Sequence, residues 1–376
     1  MNCRVCNSPL ETLLEYKNMP KAAQNFPTIE QVCDESGEDL QVCQCLACGL
    51  VQLSNKPVDY YKEVIRAAAF SEDMRSFRLE QFRDFVHAYS LQNKKVIEIG
   101  CGKGEFLSLM KDTGTDAYGI EYADDSVKHC KENGLQVSKF YIEDKSDQLP
   151  YGPFDCFFIM NFFEHLPDPN ATLQSLHSNL KDDGIGIIEV PNFDMILENN
   201  LFSEFINDHL FYFTKDTLKL TLERNGFEVI QCDEVWHNYI ISVVVRKRKK
   251  VNLSSFQEHQ TRIQKEIQNY ISKYDPGKIV IYGAGHQSLA VISLTQISDS
   301  IKCVIDDATF KQGKYTPATH LPIVSNECLK TDAIDAIIVM AASYSDEVAN
   351  KIKSNFNNDI DMAILRDFGL EIVQRG

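Results

Sequence analysis

"KKVIEIGCGKGEFLSLMKDTG", residues 94 to 114, decides how the middle of this chain folds. Val96 to Ile99 form a short β run, three β-branched residues with Glu98 among them. Gly100, Gly102 and Gly104 follow, and an amphipathic segment opens at Glu105. Strand, glycine-rich turn and helix in that order let the backbone approach a ligand closely and offer it the helix N-terminus.

Dinucleotides, nucleotides and S-adenosylmethionine are all bound on this architecture, so the glycines alone leave the ligand open. Three neighbouring features narrow the choice. Glu98 lies on the strand just before the loop, and a second strand, "DAYGIEYADD", carries Glu121 where an acid can bind both hydroxyls of a ribose. Glu143 and Asp144 form a third acidic position after "VSKFYI", ahead of "DQLPYGPFDCFFIMNFFEHLPDP". This order resembles the class I S-adenosylmethionine-dependent methyltransferases. The resemblance implies that Gly100, Gly102 and Gly104 line the methionine part of the cofactor, that Glu121 holds the ribose, and that Glu143 or Asp144 approaches the adenine amine. It also implies that Asn161, Phe163 and His165 of "NFFEHLPDP" lie near the cofactor, on an α/β, Rossmann-like core.

Upstream, "SEDMRSFRLEQFRDFVHAYSL" places Met74, Phe77, Phe82, Phe85 and Val86 near helical spacing, so residues 55 to 95 read as helical. Before that, six of the twelve cysteines fall within the first 48 residues. Four of them form two C-x-x-C pairs, Cys3 with Cys6 and Cys45 with Cys48. Each pair can grip one side of a tetrahedral zinc from a tight turn, and four thiolates would close the coordination sphere, so the metal would be structural. Free thiols are the alternative reading. Cys33 and Cys43 fall outside the pattern.

Downstream, "NATLQSLHSNLKDDGIGIIEVPN" reads as helix, a turn at Asp183 and Gly184, and a strand. "TKDTLKLTLERNGFEVIQCDEVWHNYIISVVVRKRKK" supplies a helix and a closing hairpin, and "FDMILENNLFSEFINDHLFYF" lies between them as an insertion where a substrate could meet the methyl group. The run "RKRKK" reads as a solvated strand end. A linking helix with the stripe Ile263, Ile267, Tyr270, Ile271 and Tyr274 leads to "KIVIYGAGHQSLAVISLTQ", a second strand, glycine turn and helix that opens another Rossmann-like domain. Gly283, Ala284 and Gly285 with Asp306 or Asp307 could suit a dinucleotide, but Ser288 stands at the third-glycine position, which favours a structural or substrate-closing role. The expected domains are therefore 1–55, 56–250 and 251–376.

Taken in series, the cysteine pairs ending in "CGLVQL", the glycine-loop core, "EVPN" followed by "DHLFYF", and a third domain with "IYGAG" and "FKQGKYTPATHLPI" resemble the three-domain sugar C-methyltransferases. These transfer a methyl group to carbon 3 of a nucleotide-linked 4-keto-6-deoxy sugar. A carbon nucleophile must be generated before it attacks a sulfonium methyl, and a ketone permits this through an enolate. Imidazole titrates near working pH and suits the base. The resemblance maps the family's His-Glu-His segment onto Asn207, Asp208 and His209, with His209 as base and Asp208 as the adjacent acid. Ile206 replaces the family's preceding tyrosine, which leaves Tyr212 or Tyr239 to supply a lost hydrogen bond, or the substrate to differ. The opposing reading has His209 capping or packing the insertion while Phe211, Tyr212 and Phe213 form core. In the third domain, Gly285, His286 and Gln287 stand where the family has proline, alanine and lysine.

A net charge of -16 argues against a general nucleic-acid binder. No apolar run approaches the length of a membrane span, and "MNCRVCNSPL" lacks the basic and apolar regions of a secretory signal, so cytoplasmic residence is the expectation. A monomer is compatible with the sequence. Two other functions fit: O-methylation of a sugar hydroxyl, with His209 deprotonating oxygen, and a zinc-containing scaffold whose methyltransferase core is inactive.

Overall fold

The computed structural model describes residues 1–23, 26–63, 71–356 and 359–373. It divides into two compact units, Met1–Lys249 and Lys250–Gly376.

The first unit contains two sheets. Strands β1 (Leu10–Met19), β2 (Glu38–Cys45) and β3 (Val51–Leu53) form an antiparallel meander. The second sheet is built from β4 (Lys95–Ile99), β5 (Asp116–Glu121), β6 (Gln136–Lys139), β7 (Phe154–Met160) and β8 (Leu180–Pro191). Helices α1 (Glu72–Ala88), α2 (Glu105–Asp112), α3 (Asp124–Glu132) and α4 (Pro169–Asn179) flank or connect these strands. The insertion after β8 folds as α5 (Phe193–Glu198), a 3-10 turn at Phe202–Glu204, and a two-residue strand β9 (Phe211–Tyr212). Then come α6 (Lys215–Arg224), β10 (Phe227–Val235) and β11 (Ile240–Lys247).

The larger sheet has the order β10-β11-β8-β7-β4-β5-β6, with β8, β7, β4, β5 and β6 parallel and β11 antiparallel to both its neighbours. Strand order reverses between β4 and β7. In an open α/β sheet, the crevice outside the carboxyl ends of the strands at that reversal is where ligands bind. The period of two along β7 splits its side chains between the faces. Cys156, Phe158 and Met160 join Phe82 and Phe106 on one side, whereas Phe157 and Ile159 join Leu173, Leu176, Leu218 and Leu222 on the other.

Three details differ from the sequence expectation. Among the described residues, the helix expected over 55 to 95 is confined to a 3-10 turn at Tyr61–Glu63 and α1; residues 64 to 70 lie outside the described residues. Ser71 starts α1 by accepting a hydrogen bond from the Met74 backbone N–H. The turn expected at Asp183 and Gly184 is instead part of β8. The pairing passes from Phe154 with Leu180 to Cys156 with Ile185, so the polar residues bulge from the strand without ending it. Finally, β9 pairs with β3 and completes the smaller sheet. The boundary expected near residue 55 is a change of sheet within one packing unit: Cys3, Val5, Cys45 and Leu50 belong to the same apolar cluster as Ile97, Phe157 and Phe213.

The second unit opens with α7 (Ser254–Ile271), whose buried residues are Ile263, Ile267, Tyr270 and Ile271, the predicted stripe. Tyr274 lies in the turn that follows. Strands β12 (Ile279–Tyr282), β13 (Ile301–Ile305), β14 (Ile323–Val324), β15 (Ala336–Val339), β16 (Asp361–Arg366) and β17 (Gly369–Val373) form a sheet of order β14-β13-β12-β15-β16-β17. All neighbours are parallel except the closing β16–β17 hairpin. Helices α8 (His286–Thr295), α9 (Cys328–Thr331) and α10 (Ser345–Asn355) complete this α/β unit.

Candidate active site

The β4 turn shows why glycine is required. Gly100 has φ +68°, and a Cβ there would lie 2.6 Å from the Phe162 ring. Gly102 also has positive φ, at +56°, but a Cβ added to it would meet nothing within 4 Å, so this position faces open space. The chain thus packs against Phe162 at one glycine and leaves room for a ligand at the next.

Glu121, at the end of β5, is buried, and its carboxylate organises the loop. One oxygen accepts from the Gly102 N–H at 2.8 Å, and the other from the N–H groups of Tyr122 and Ala123, each at 2.9 Å. Together with Phe140, Ile142 and Phe162, Gly100 and Glu121 line a cleft at the topological reversal. Lys62 reaches in from the 3-10 turn before α1. Its ammonium lies 5.0 Å from the Tyr141 ring centroid and 5.2 Å from that of Tyr122, and it forms an ion pair with Glu143.

Several predicted positions are placed differently within this neighbourhood. The Glu143 carboxylate is engaged by Lys62, and that of Asp144 accepts from Ser146 through both its backbone N–H (2.9 Å) and its hydroxyl (2.6 Å). Both acids stand beyond Ile142 on exposed chain, outside the residues that form the cleft wall. Phe163 is fully buried and stacked on Phe213, 5.5 Å between centroids, while the cleft ring belongs to Phe162, which sequence reasoning missed. Asn161, with a φ of +50°, follows the end of β7, and the chain turns after it into a 3-10 helix at Phe163–His165. The Asn161 backbone N–H donates to the Glu189 carbonyl at 2.9 Å, and its side-chain Oδ1 is buried with no hydrogen-bond partner among the described residues. Glu98 is buried within β4.

The histidines are brought together by the insertion. The Leu210 N–H donates to the Glu164 carbonyl at 2.9 Å, which ties the segment ending in β9 to the turn after β7. His165 and His209 then meet edge to face, 4.7 Å between centroids, and His165 lies 6.3 Å from Phe162 at the cleft. The His165 Nδ1–H donates to the Asp208 carbonyl at 2.7 Å; because a carbonyl only accepts, this fixes the proton on Nδ1 and leaves Nε2 as the basic nitrogen of the neutral ring. Burial lowers the pKa of His165, and burial followed by the proximity of His165 carries that of His209 well below the usual 6.5. Among the described residues, no hydrogen bond is made to either ring nitrogen of His209. His209 thus stands one ring away from Phe162 at the cleft, held toward the neutral form by burial.

Asp208 does not serve His209 directly. Its two carboxylate oxygens accept from the Tyr60 hydroxyl at 2.6 Å and from the Ala23 N–H at 2.9 Å. Asn207 donates to the Lys21 carbonyl and to the Glu38 carboxylate, each at 3.0 Å. The excursion between β1 and β2 therefore docks on the two residues before His209. The two replacement phenols considered for Ile206 are also engaged: Tyr212 both accepts from the Ile206 N–H and donates to the Ile206 carbonyl, and Tyr239 donates to Glu204.

Cys3, Cys6, Cys45 and Cys48 converge with all four sulfurs within 4.8 Å of one another. Sulfur separations of 3.7 Å for Cys3 and Cys48, and 3.3 Å for Cys6 and Cys45, are close to the roughly 3.8 Å edge of a tetrahedron with zinc–sulfur bonds of about 2.3 Å. The Val5 N–H and the Gln52 amide both donate to Cys3 Sγ, the outer hydrogen bonds that orient a metal ligand. Burial works to raise the Cys6 thiol, but hydrogen bonds from Ser8 and from the neighbouring cysteines outweigh it and bring the pKa to about 6.

In the second unit, Asp306 accepts from the N–H groups of Ala284 and Ala308 and from the Lys311 ammonium, and Asp307 from the Tyr282 hydroxyl and from Lys351. Both acids that could have held a dinucleotide ribose are bonded within the protein.

Comparisons with known proteins add to this geometry. Residues 73–232 match a family described as "Methyltransferase domain", and residues 246–364 match "C-methyltransferase C-terminal domain". The chain is an S-adenosylmethionine-dependent methyltransferase. Its pair of domains places it with the C-methyltransferases. It is 21% identical to the C-methyltransferase NovU of Streptomyces niveus over 293 residues, 70% of each chain. It is 34% identical to a ubiquinone biosynthesis O-methyltransferase of Methylococcus capsulatus over 107 residues, covering 27% of this chain and 45% of that one. A Pyrococcus horikoshii protein, PH0226, aligns with 47% of the methyltransferase and 92% of its own chain, at 18% identity and a TM-score of 0.40. No helix among the described residues of the methyltransferase is long and apolar enough to cross a membrane.

Proposed function

We propose that this methyltransferase alkylates carbon 3 of a nucleotide-linked 4-keto-6-deoxy sugar through an enolate generated by His209. The observation that carries the proposal is the placement of the His209 ring, which meets His165 edge to face while His165 lies beside Phe162, where the insertion meets the cofactor cleft. S-adenosylmethionine supplies an electrophilic methyl on a positive sulfur, so the chain's own tasks are orientation and removal of one proton. In this reading Gly100, Gly102 and Gly104 border the methionine part, Glu121 sits at the ribose, and Phe162 with Phe140 to Ile142 forms the apolar wall. His209 takes the proton on carbon 3. Methyl transfer to that carbon then expels neutral S-adenosylhomocysteine.

The four cysteines are assigned one structural zinc, with no open coordination position and no part in the chemistry. Residence in the cytoplasm, where nucleotide sugars are made, accords with this reading, and nothing in the proposed mechanism requires a second copy of the chain. The similarity to ubiquinone biosynthesis O-methyltransferases supports a second reading, oxygen methylation, but it spans only 27% of the chain, within the methyltransferase domain.

The test is incubation with labelled S-adenosylmethionine and a panel of nucleotide-linked 4-keto-6-deoxy sugars, with products read by mass and by NMR of the new methyl. A carbon-bound methyl is expected, and His209→Asn should slow its formation by about 10²- to 10⁴-fold with cofactor affinity unchanged. A methyl on oxygen would sink the enolate proposal and leave the methyltransferase assignment standing.

A further inference from the structure

We propose that Tyr60 is a positioning residue for the base, acting on His165 and His209 through Asp208; the proposal rests on the reading of His209 as base. The adjacent acid of the base segment does not hydrogen-bond the base. Asp208 is buried, 3% exposed, and both of its carboxylate oxygens are held from outside the insertion, by the Tyr60 hydroxyl and the Ala23 N–H. Its main chain does the work toward the site: the carbonyl receives the His165 Nδ1–H, and the next residue is His209.

The side-chain anchor and the main-chain acceptor belong to one residue, so the position of the Asp208 carbonyl depends on where its carboxylate is held. With Tyr60 in place, His165 has a fixed tautomer and a fixed ring plane, and His209 packs edge-on against that plane. Without the phenolic hydroxyl, the carboxylate keeps only the Ala23 N–H on the other oxygen. The carboxylate then turns to find a donor, the carbonyl moves with it, and His165 loses the partner that selected Nδ1–H. The His209 ring receives no hydrogen bond among the described residues, and a second group near the His165 ring, the buried Glu164 carboxylate, stands 3.9 Å from Nε2 and not at Nδ1, so the choice of Nδ1–H rests on the Asp208 carbonyl. A further consequence comes from chain order. Tyr60 immediately precedes Tyr61 and Lys62, and Lys62 lies at the cofactor cleft. One short segment therefore spans the distance from the acid beside the base to the wall of the cofactor site.

Tyr60→Phe in the full-length protein is the test, since it removes one hydroxyl and keeps the ring. Two readouts need no sugar. Nitrogen-15 NMR of the imidazoles should show His165 as the Nδ1–H tautomer in the parent protein and as a mixture in the variant, while the dissociation constant of S-adenosylmethionine changes by less than about twofold. With substrate, kcat should fall roughly tenfold to a hundredfold, the size of effect expected for a misplaced catalytic group, with KM for the cofactor nearly constant. Asp208→Asn, which leaves Tyr60 untouched, should perturb the same His165 signal, and adding Tyr60→Phe to it should cost little more because both changes break one chain of contacts. An unchanged His165 tautomer in both variants would overturn the proposal, as would a fall in kcat fully additive between them. If no sugar is methylated on carbon, the enolate reading fails, and the NMR arm still decides whether Tyr60 holds the histidine pair.

Discussion

His165 and His209 are pushed toward the neutral form chiefly by burial, with the second histidine adding to the shift of His209. Their folded pKa values therefore lie below the 6.5 of an unfolded chain. As pH falls through 6.5, the unfolded state takes up protons that the native state resists, so unfolding is favoured and stability declines until the native rings protonate as well. Above that window the pair contributes no pH dependence. Urea midpoints should be level at alkaline pH and should fall on acidification below about 6.5, with a shallower fall in His209→Asn; an identical slope in that variant would show that the shift is carried elsewhere. The same shift has a catalytic consequence. A base that stays unprotonated below neutrality keeps the transfer rate flat through the physiological range, and the acid limb of kcat should lie well below 6.5. His209 could be singled out in the sequence because an acid precedes it and aromatics follow. Tyr60 could not, because its contact with Asp208 joins residues 148 positions apart and no local pattern announces it.

At the scale of the element, the strand and glycine turn of β4 were legible because each requirement is local: β-branched residues for the buried strand, and glycine where φ is positive. Gly100→Ala tests that reasoning. The left-handed backbone costs about 1–2 kcal/mol, and the new methyl would displace the Phe162 ring from the cleft wall. We expect a lower melting temperature by calorimetry together with a fall of more than about tenfold in cofactor affinity, and a variant that lost stability alone would show that Phe162 does not shape the cofactor site. The ion pair behind the cleft was not legible. Arg78 on α1 and Glu189 on β8 are both fully buried and paired, Gln81 donates to Glu189 at 2.6 Å, and the guanidinium carbon stands 5.2 Å from the rings of both Phe77 and Phe106. Arg78 lies among charged residues of an amphipathic helix, where a sequence pattern reads arginine as surface. Arg78→Met would leave the Glu189 carboxylate buried beside one amide, and should cost about 3–5 kcal/mol in urea unfolding. Glu189→Gln in the same chain should recover much of that loss, since no charge then remains inside; failure to recover would assign the effect to packing of the guanidinium on the aromatic rings.

Across the whole molecule, the serial order of cysteine pairs, glycine loop and second α/β unit was readable, because each repeats a pattern with its own spacing. The way the first sheet is completed was hidden: β9 has two residues, too few for any periodicity, and its partner β3 lies far upstream. That pairing makes the four cysteines relevant to chemistry they do not perform. Zinc would tie the turn before β1 to the turn between β2 and β3, β3 would hold β9, and the β1–β2 excursion would hold Asn207 and Asp208, so the base segment would rest on a metal-organised scaffold. Glu121 and the glycine loop belong to the other sheet. Metal analysis should find about one zinc per chain, and its removal by a chelator, or by Cys6→Ser, should abolish methyl transfer while S-adenosylmethionine still binds, because the base segment hangs on the smaller sheet whereas the larger sheet carries the cofactor residues. Calorimetric titration of the cofactor against metal-free protein separates the cases. Binding kept with transfer lost would place the zinc beneath the base segment. Both lost together would make the metal a condition for the entire first unit, and transfer kept without metal would leave β9 and the docked excursion sufficient on their own.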